Sequence, residues 1–103
     1  MPNKNYLAGR RIEYQRMKHW KSLKHEVLRT TGSHGFADLI TVSMQGYVYF
    51  IQCKRVQTKA HAERLIKEFK TNPPLGHRYA AEYHQIIEVS VKELRGQVLS
   101  GCV

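Results

Sequence analysis

"ADLITVSMQGYVYFIQCKR", residues 37–55, decides the fold. Two runs rich in β-branched and aromatic residues, 37–43 and 47–54, flank Met44-Gln45-Gly46. That pattern predicts a β-hairpin. The second run is apolar without alternation until its end, which predicts a central strand covered on both faces. With the turn centred on Gln45 and Gly46, residues 50–54 come opposite residues 37–41. The chain's single aspartate, Asp38, stands at the head of the first run, and the second run ends in Gln52-Cys53-Lys54-Arg55.

Working outward, residues 6 to about 25 predict a helix with Tyr6, Gly9, Glu13, Met17 and Trp20 on one face and Leu23 at its border. Arg16 and Lys24 intrude near this stripe as exceptions. Residues 25–30 predict a short strand, and 31–36 ("TGSHGF") a turn. Residues 58–70 predict a second helix with Ala62, Leu65, Ile66 and Phe69 on one face. "TNPPLGHR", 71–78, predicts a loop, and "HQIIEVSV", 84–91, a further strand. Residues 92–103 fit more than one element. The order is helix, three strands, helix, strand. It predicts an α/β fold, a mixed sheet flanked by helices, in a single domain spanning 1–103.

The charge balance narrows the partners. Seventeen Lys and Arg against eight acids give a net charge of +9. A small basic domain most often meets a polyanion, usually nucleic acid. Lys4, Arg10 and Arg11 at the first helix, and Arg29, Arg55 and Lys59 around the hairpin, are the expected phosphate contacts. His34, in the turn beside Asp38, is a further candidate. No apolar run approaches the roughly 20 residues of a membrane span. The first residues lack the apolar core of an export signal, so an intracellular protein without a membrane partner is expected. Two cysteines, Cys53 and Cys102, do not make a disulfide framework, and the six histidines fit no zinc-ligand spacing.

The candidate chemistry lies around Asp38. Gln52 and Lys54 are two apart on one strand and share a face, while Cys53 points the other way and offers its backbone carbonyl. Glu13 falls within the apolar stripe, where an acid is costly unless it is paired or holds a cation. Each residue also has a plain role. Asp38 can cap its own turn, Lys54 can reach solvent from a strand end, and Glu13 can pair with Arg10 or Arg16. Taken together, a carboxylate, an amide oxygen and a carbonyl suit Mg2+ or Mn2+ rather than zinc.

Three segments, "AGRRIEYQ", "RTTGSHGFADLI" and "YFIQCKR", carry a resemblance over residues 8 to 56. In order and spacing the chain resembles the archaeal-type Holliday junction resolvases of the PD-(D/E)-x-K nuclease superfamily. Ala37 stands where that family usually has proline, and Gln52 where it has an acid. The resemblance implies a restriction-endonuclease-like fold. It implies a Mg2+ site, open to Mn2+, made by Glu13, Asp38, Gln52 and the Cys53 carbonyl. Lys54 would orient the attacking water, and Ser33 would support the phosphate of the cut strand. It further implies a homodimer that resolves four-way DNA junctions by paired symmetric nicks, leaving a 5′-phosphate and a 3′-hydroxyl. Another nuclease of the superfamily, or a basic DNA-binding module without catalysis, are the alternatives.

Overall fold

In the computed structural model the described residues are 4–30, 35–77 and 83–103, with side chains described from residue 10 onward. Helix α1 (Lys4–Ser22) leads into β1 (Glu26–Arg29), β2 (Leu39–Val42) and β3 (Val48–Val56). Helix α2 (Lys59–Thr71) then crosses over to β4 (Tyr83–Val91), and a 3-10 turn (Lys92–Leu94) leads to β5 (Gln97–Cys102). One sheet holds all five strands in the order β1-β2-β3-β4-β5. Only the β3–β4 pair is parallel, which is why it needs the helical crossover. The expected mixed sheet with flanking helices is present. The tail that sequence left undecided is a fifth, antiparallel strand.

The two helices lie on opposite faces, and strand alternation determines which residues each one meets. Met17 and Trp20 of α1 pack against Leu39, Ile51 and Ile86. Leu65, Ile66, Ala62 and Phe69 of α2 pack against Ile87, Val89 and Val91, the other face of β4. The strand buried along nearly its whole length is therefore β4, not β3 as the sequence suggests. Helix α2 reaches β5 so closely that a Cβ on Gly101 would come within 2.6 Å of the Ile66 Cγ2. That approach fixes glycine in an otherwise ordinary strand.

The hairpin turns over Ser43–Gly46, closed by the Gly46 N–H donating to the Ser43 carbonyl at 2.9 Å. Gly46 takes φ +90, a left-handed conformation that suits glycine. The loop after α2 is held from the sheet. Buried Gln85 accepts from the Leu75 N–H at 2.7 Å and donates to the Gly76 carbonyl at 3.0 Å.

The first helix ends earlier than its sequence stripe predicts. The His25 N–H donates to the Trp20 carbonyl and the Lys24 N–H to the Lys21 carbonyl. This pair of bonds is the Schellman stop, and the residue it forces into the left-handed region is Lys24, at φ 67. The accompanying contact is aromatic, with the Trp20 and His25 rings 5.0 Å apart.

Arg16, an exception on the helical stripe, has a partner. It makes a two-pronged ion pair with Glu88 of β4, at 3.0 and 2.7 Å, and the Trp20 indole N–H donates to the same carboxylate at 3.2 Å. Glu88 is 3% exposed, so its charge is tolerated only with these donors around it.

Two predictions test this packing. Glu88→Ala is expected to cost about 3–5 kcal/mol in urea unfolding, because it strands the Arg16 guanidinium. The double change Arg16→Met with Glu88→Leu is expected to cost much less; equal losses would place the cost in packing rather than charge. Lys24→Gly is expected to raise stability by about 1 kcal/mol by removing a left-handed side chain. Thermal unfolding checks it, with a rise of about 4 °C or more expected.

Candidate functional site

Asp38 and Cys53, two of the sequence-predicted site residues, meet where the β2–β3 ladder ends. Asp38 precedes the first paired residue of β2, Leu39, which lies opposite Ile51. Its own N–H donates to the Ile51 carbonyl at 2.8 Å. Two residues further along β3, the Cys53 N–H is taken not by backbone but by the Asp38 Oδ2, at 2.8 Å. The carboxylate thus replaces a ladder bond where the strands part. A strand residue directs its N–H and C=O to the same side, so the Cys53 carbonyl faces the Asp38 side as well. Asp38 is held from behind by Thr30, whose N–H and hydroxyl donate to the Asp38 carbonyl at 3.0 and 3.1 Å.

Glu13 approaches from α1. It lies 3.4 Å from the Arg29 Nε, an ion pair that spans from the helix to β1 rather than along the helix. That nitrogen is buried and makes no hydrogen bond of good geometry. The guanidinium also lies over the Tyr14 ring, 5.1 Å from its centre. Burial pushes the Glu13 carboxyl above its ordinary value, the negative charge of Asp38 pushes it further, and Arg29 and Arg10 only partly offset this. Cys53 senses the same charges. Burial raises its thiol well above the usual range, followed by Glu88, Asp38 and Glu13. The thiol is therefore a protonated, packed group and not a nucleophile. Three acids act on this one thiol in a chain that carries a net +9.

Gln52 and Lys54 are placed differently. Alternation along β3 turns both to the face opposite α1, where they line a cavity of about 210 Å³ with Glu68, Asn72 and Pro74. Glu13 and the Gln52–Lys54 pair therefore flank Asp38 from the two faces of the sheet. The structure sets Asp38 on the Cys53 N–H, brings Glu13 to Arg29 from the α1 side, and places Gln52 and Lys54 on the other face. Ser33 and His34 lie outside the described residues.

The expected phosphate contacts divide similarly. Arg29 is spent on Glu13 and Tyr14 rather than turned outward, with its side chain 15% exposed. Arg10 donates to the Tyr14 hydroxyl at 3.3 Å. Lys59 is exposed and pairs with Glu63 at 3.8 Å. Arg11 and Arg55 are exposed and line a second cavity. Lys4 has no described side chain.

These donors can be tested against a divalent cation. Among the described residues, no three His, Cys, Asp or Glu side chains form a metal-holding group. Mg2+ does not require one. It takes one or two carboxylates and otherwise keeps water or phosphate oxygens. The Asp38 carboxylate, with the Cys53 carbonyl and the nearby Glu13 carboxyl, offers oxygen donors of that kind. Sequence reasoning missed Glu88. Its one available signal was an acid at the heart of an apolar strand, matched by Arg16 out of place on the helix.

The chain matches no protein-family model and no curated protein sequence.

The pH dependence of stability tests the Glu13 environment. Its carboxyl is raised from the ordinary 4.5, so the folded protein binds that proton more tightly than the unfolded chain. The resulting stabilisation is complete below 4.5 and is lost as pH rises through the folded value. Glu13→Gln is expected to unfold at higher urea than wild type at pH 7, and the gap should close as the pH falls below 4.5. A gap of constant size across pH would contradict it.

Proposed function

We propose that the protein is a metal-dependent, structure-selective DNA endonuclease of the archaeal-type Holliday junction resolvase kind. The observation that carries the reading is the Asp38 carboxylate fixed on the Cys53 N–H where two strands part, with Glu13 close enough to feel its charge. A carboxylate at a strand divergence, a facing carbonyl and a helical acid are the parts that the sequence resemblance requires of this region. The mixed sheet with a helix on each face is compatible with it.

Each residue has a role on this reading. Asp38 and Glu13, with the Cys53 carbonyl, would hold Mg2+ or Mn2+. The ion would supply Lewis acidity toward a phosphodiester oxygen and an acidified water. Asp38 is oriented by its bond to Cys53 and by Thr30 behind it. Lys54, one residue beyond Cys53 and exposed, would orient water and offset charge on the phosphate. Gln52 would add a neutral oxygen. The +9 charge attracts the DNA backbone.

A second copy follows from the same reading, since paired nicks in a junction need two sites related by a twofold axis. The surface best suited to it is the sheet face of β1–β3 away from α1. Leu28, 66% exposed, Ile40 and Phe50 line up across that face by register, and Tyr83, 38% exposed, packs edge-on to Phe50. A specific observation favours a second reading, a DNA-binding module without catalysis. Gln52 brings no charge, Glu13 is engaged by Arg29, and Lys54 lies across the sheet from Glu13.

Cleavage of a synthetic four-way junction beside a matched linear duplex separates the readings. A resolvase is expected to nick the junction symmetrically with Mg2+, leave the duplex intact, and lose activity in EDTA. Asp38→Ala is expected to reduce the rate at least a hundredfold, about 3 kcal/mol in barrier. Tight, metal-independent binding without cutting would establish the second reading. Cutting of the duplex as fast as the junction would indicate another nuclease of the superfamily.

A further inference from the structure

A second charged concavity lies apart from Asp38, on the α1 side of the sheet, beside the turn into β5. Its volume is about 310 Å³, and Arg11, Gln15, Arg55, Ser90, Lys92 and Arg95 line it. Four elements contribute: α1, β3, β4 and the 3-10 turn. Arg55 lies opposite Ser90 on the parallel pair, which places a cation and a hydroxyl side by side on the cleft floor. Among the described residues no carboxylate lines the cleft. The nearest acid in sequence, Glu93, is turned away and accepts from the Lys59 N–H at 2.9 Å. All four cations are exposed, and among the described residues none of them makes an ion pair.

The turn that carries two of these cations is closed by hydrogen bonds. The Arg95 N–H donates to the Lys92 carbonyl at 3.0 Å, and the Gly96 N–H to the Val91 carbonyl at 2.9 Å. The Ser90 hydroxyl reaches the Gly96 carbonyl at 3.3 Å. Arg95 itself takes φ 57, a conformation that ordinarily goes to Gly or Asn. A strained, charged residue at the rim of a cleft lined by three other cations points to a use for its side chain. Like charges gathered in a concavity repel, and a bound anion relieves them.

We infer that this cleft, built by Arg11, Arg55, Lys92 and Arg95, seats backbone phosphate of the nucleic acid as an anchoring subsite separate from Asp38. The inference rests on the reading of the partner as nucleic acid, and it does not depend on whether that nucleic acid is cut. Arginine forks suit phosphate oxygens, and such contacts fix position without reading sequence.

The test is the salt dependence of binding, followed by fluorescence anisotropy of a labelled duplex and a labelled four-way junction. Removing one cation from a phosphate lowers the slope of log K against log salt by about 0.9. The double variant Lys92→Gln with Arg95→Asn removes two charges, and asparagine suits the left-handed backbone at position 95, so the fold is retained. The slope is expected to fall by about 1.8 relative to wild type. The control Lys18→Gln with Lys21→Gln alters two exposed cations of α1 outside the cleft and is expected to change the slope much less. An unchanged slope in the cleft variant, or an equal fall in the control, overturns the subsite while leaving nucleic-acid binding intact. No binding of either DNA by wild type overturns the subsite together with the reading of the partner. Binding without cutting, with the slope changed as expected, supports the subsite and removes only the nuclease.

Discussion

The two-pronged ion pair between Arg16 and Glu88 sets where α1 lies, and the site depends on that helix. Glu88 is almost wholly buried, and its carboxylate takes three donors, two from Arg16 and one from the Trp20 indole. A buried ion pair adds little net stability over an apolar one, but it penalises every arrangement in which the charges miss each other. Sliding or rotating α1 by one residue would leave Glu88 unpaired. The same contact therefore fixes Glu13, three residues before Arg16 and on the same helical side, over β1 and the head of β2. Glu13, which senses the charge of Asp38, is positioned by a charge pair about one helical turn away.

The acids near the site are organised against the character of the chain. The chain carries a net charge of +9, yet Glu88, Asp38 and Glu13 all raise the Cys53 thiol. Each is handled differently. Glu88 is neutralised by Arg16, Asp38 is held by a backbone N–H, and Glu13 receives only a loose pairing with Arg29 and stays raised. Glu88 lies in the core, Asp38 at the strand divergence and Glu13 on the helix, and the pairing weakens in that order.

The hairpin was legible because its two strands and its turn carry local signals, β-branched runs and a glycine at the positive-φ position, but its register was not: a turn centred on Gln45 and Gly46 would set Ile40 opposite Ile51, whereas Ile40 lies opposite Phe50 and Leu39 opposite Ile51, one residue away. Helix α2 was legible for the same reason, with Ala62, Leu65, Ile66 and Phe69 facing the sheet as their spacing predicts. What failed depended on distant partners. Arg16 reads as an error on an apolar stripe until Glu88 is opposite it. Lys24 reads as helix because nothing local announces a left-handed stop where glycine is usual. The tail lacked a clear period because β5 is an edge strand, half buried, with Gly101 fixed by the passage of Ile66. Within the site, local alternation correctly put Gln52 and Lys54 together. It could not show that α1 would bring Glu13 to the opposite face, since that depends on which side of the sheet the helix docks.

The most direct test of a cation at Asp38 is paramagnetic broadening. Mn2+ is titrated into the 15N-labelled protein at substoichiometric amounts, and amide signals are followed in wild type and Asp38→Asn. A cation held by Asp38 and the Cys53 carbonyl should broaden the amides of Asp38 and Cys53 first, then those around Glu13, with the effect abolished in the variant. Broadening that starts elsewhere, or that is the same in Asp38→Asn, would mean that the carboxylate at the strand divergence only closes the ladder.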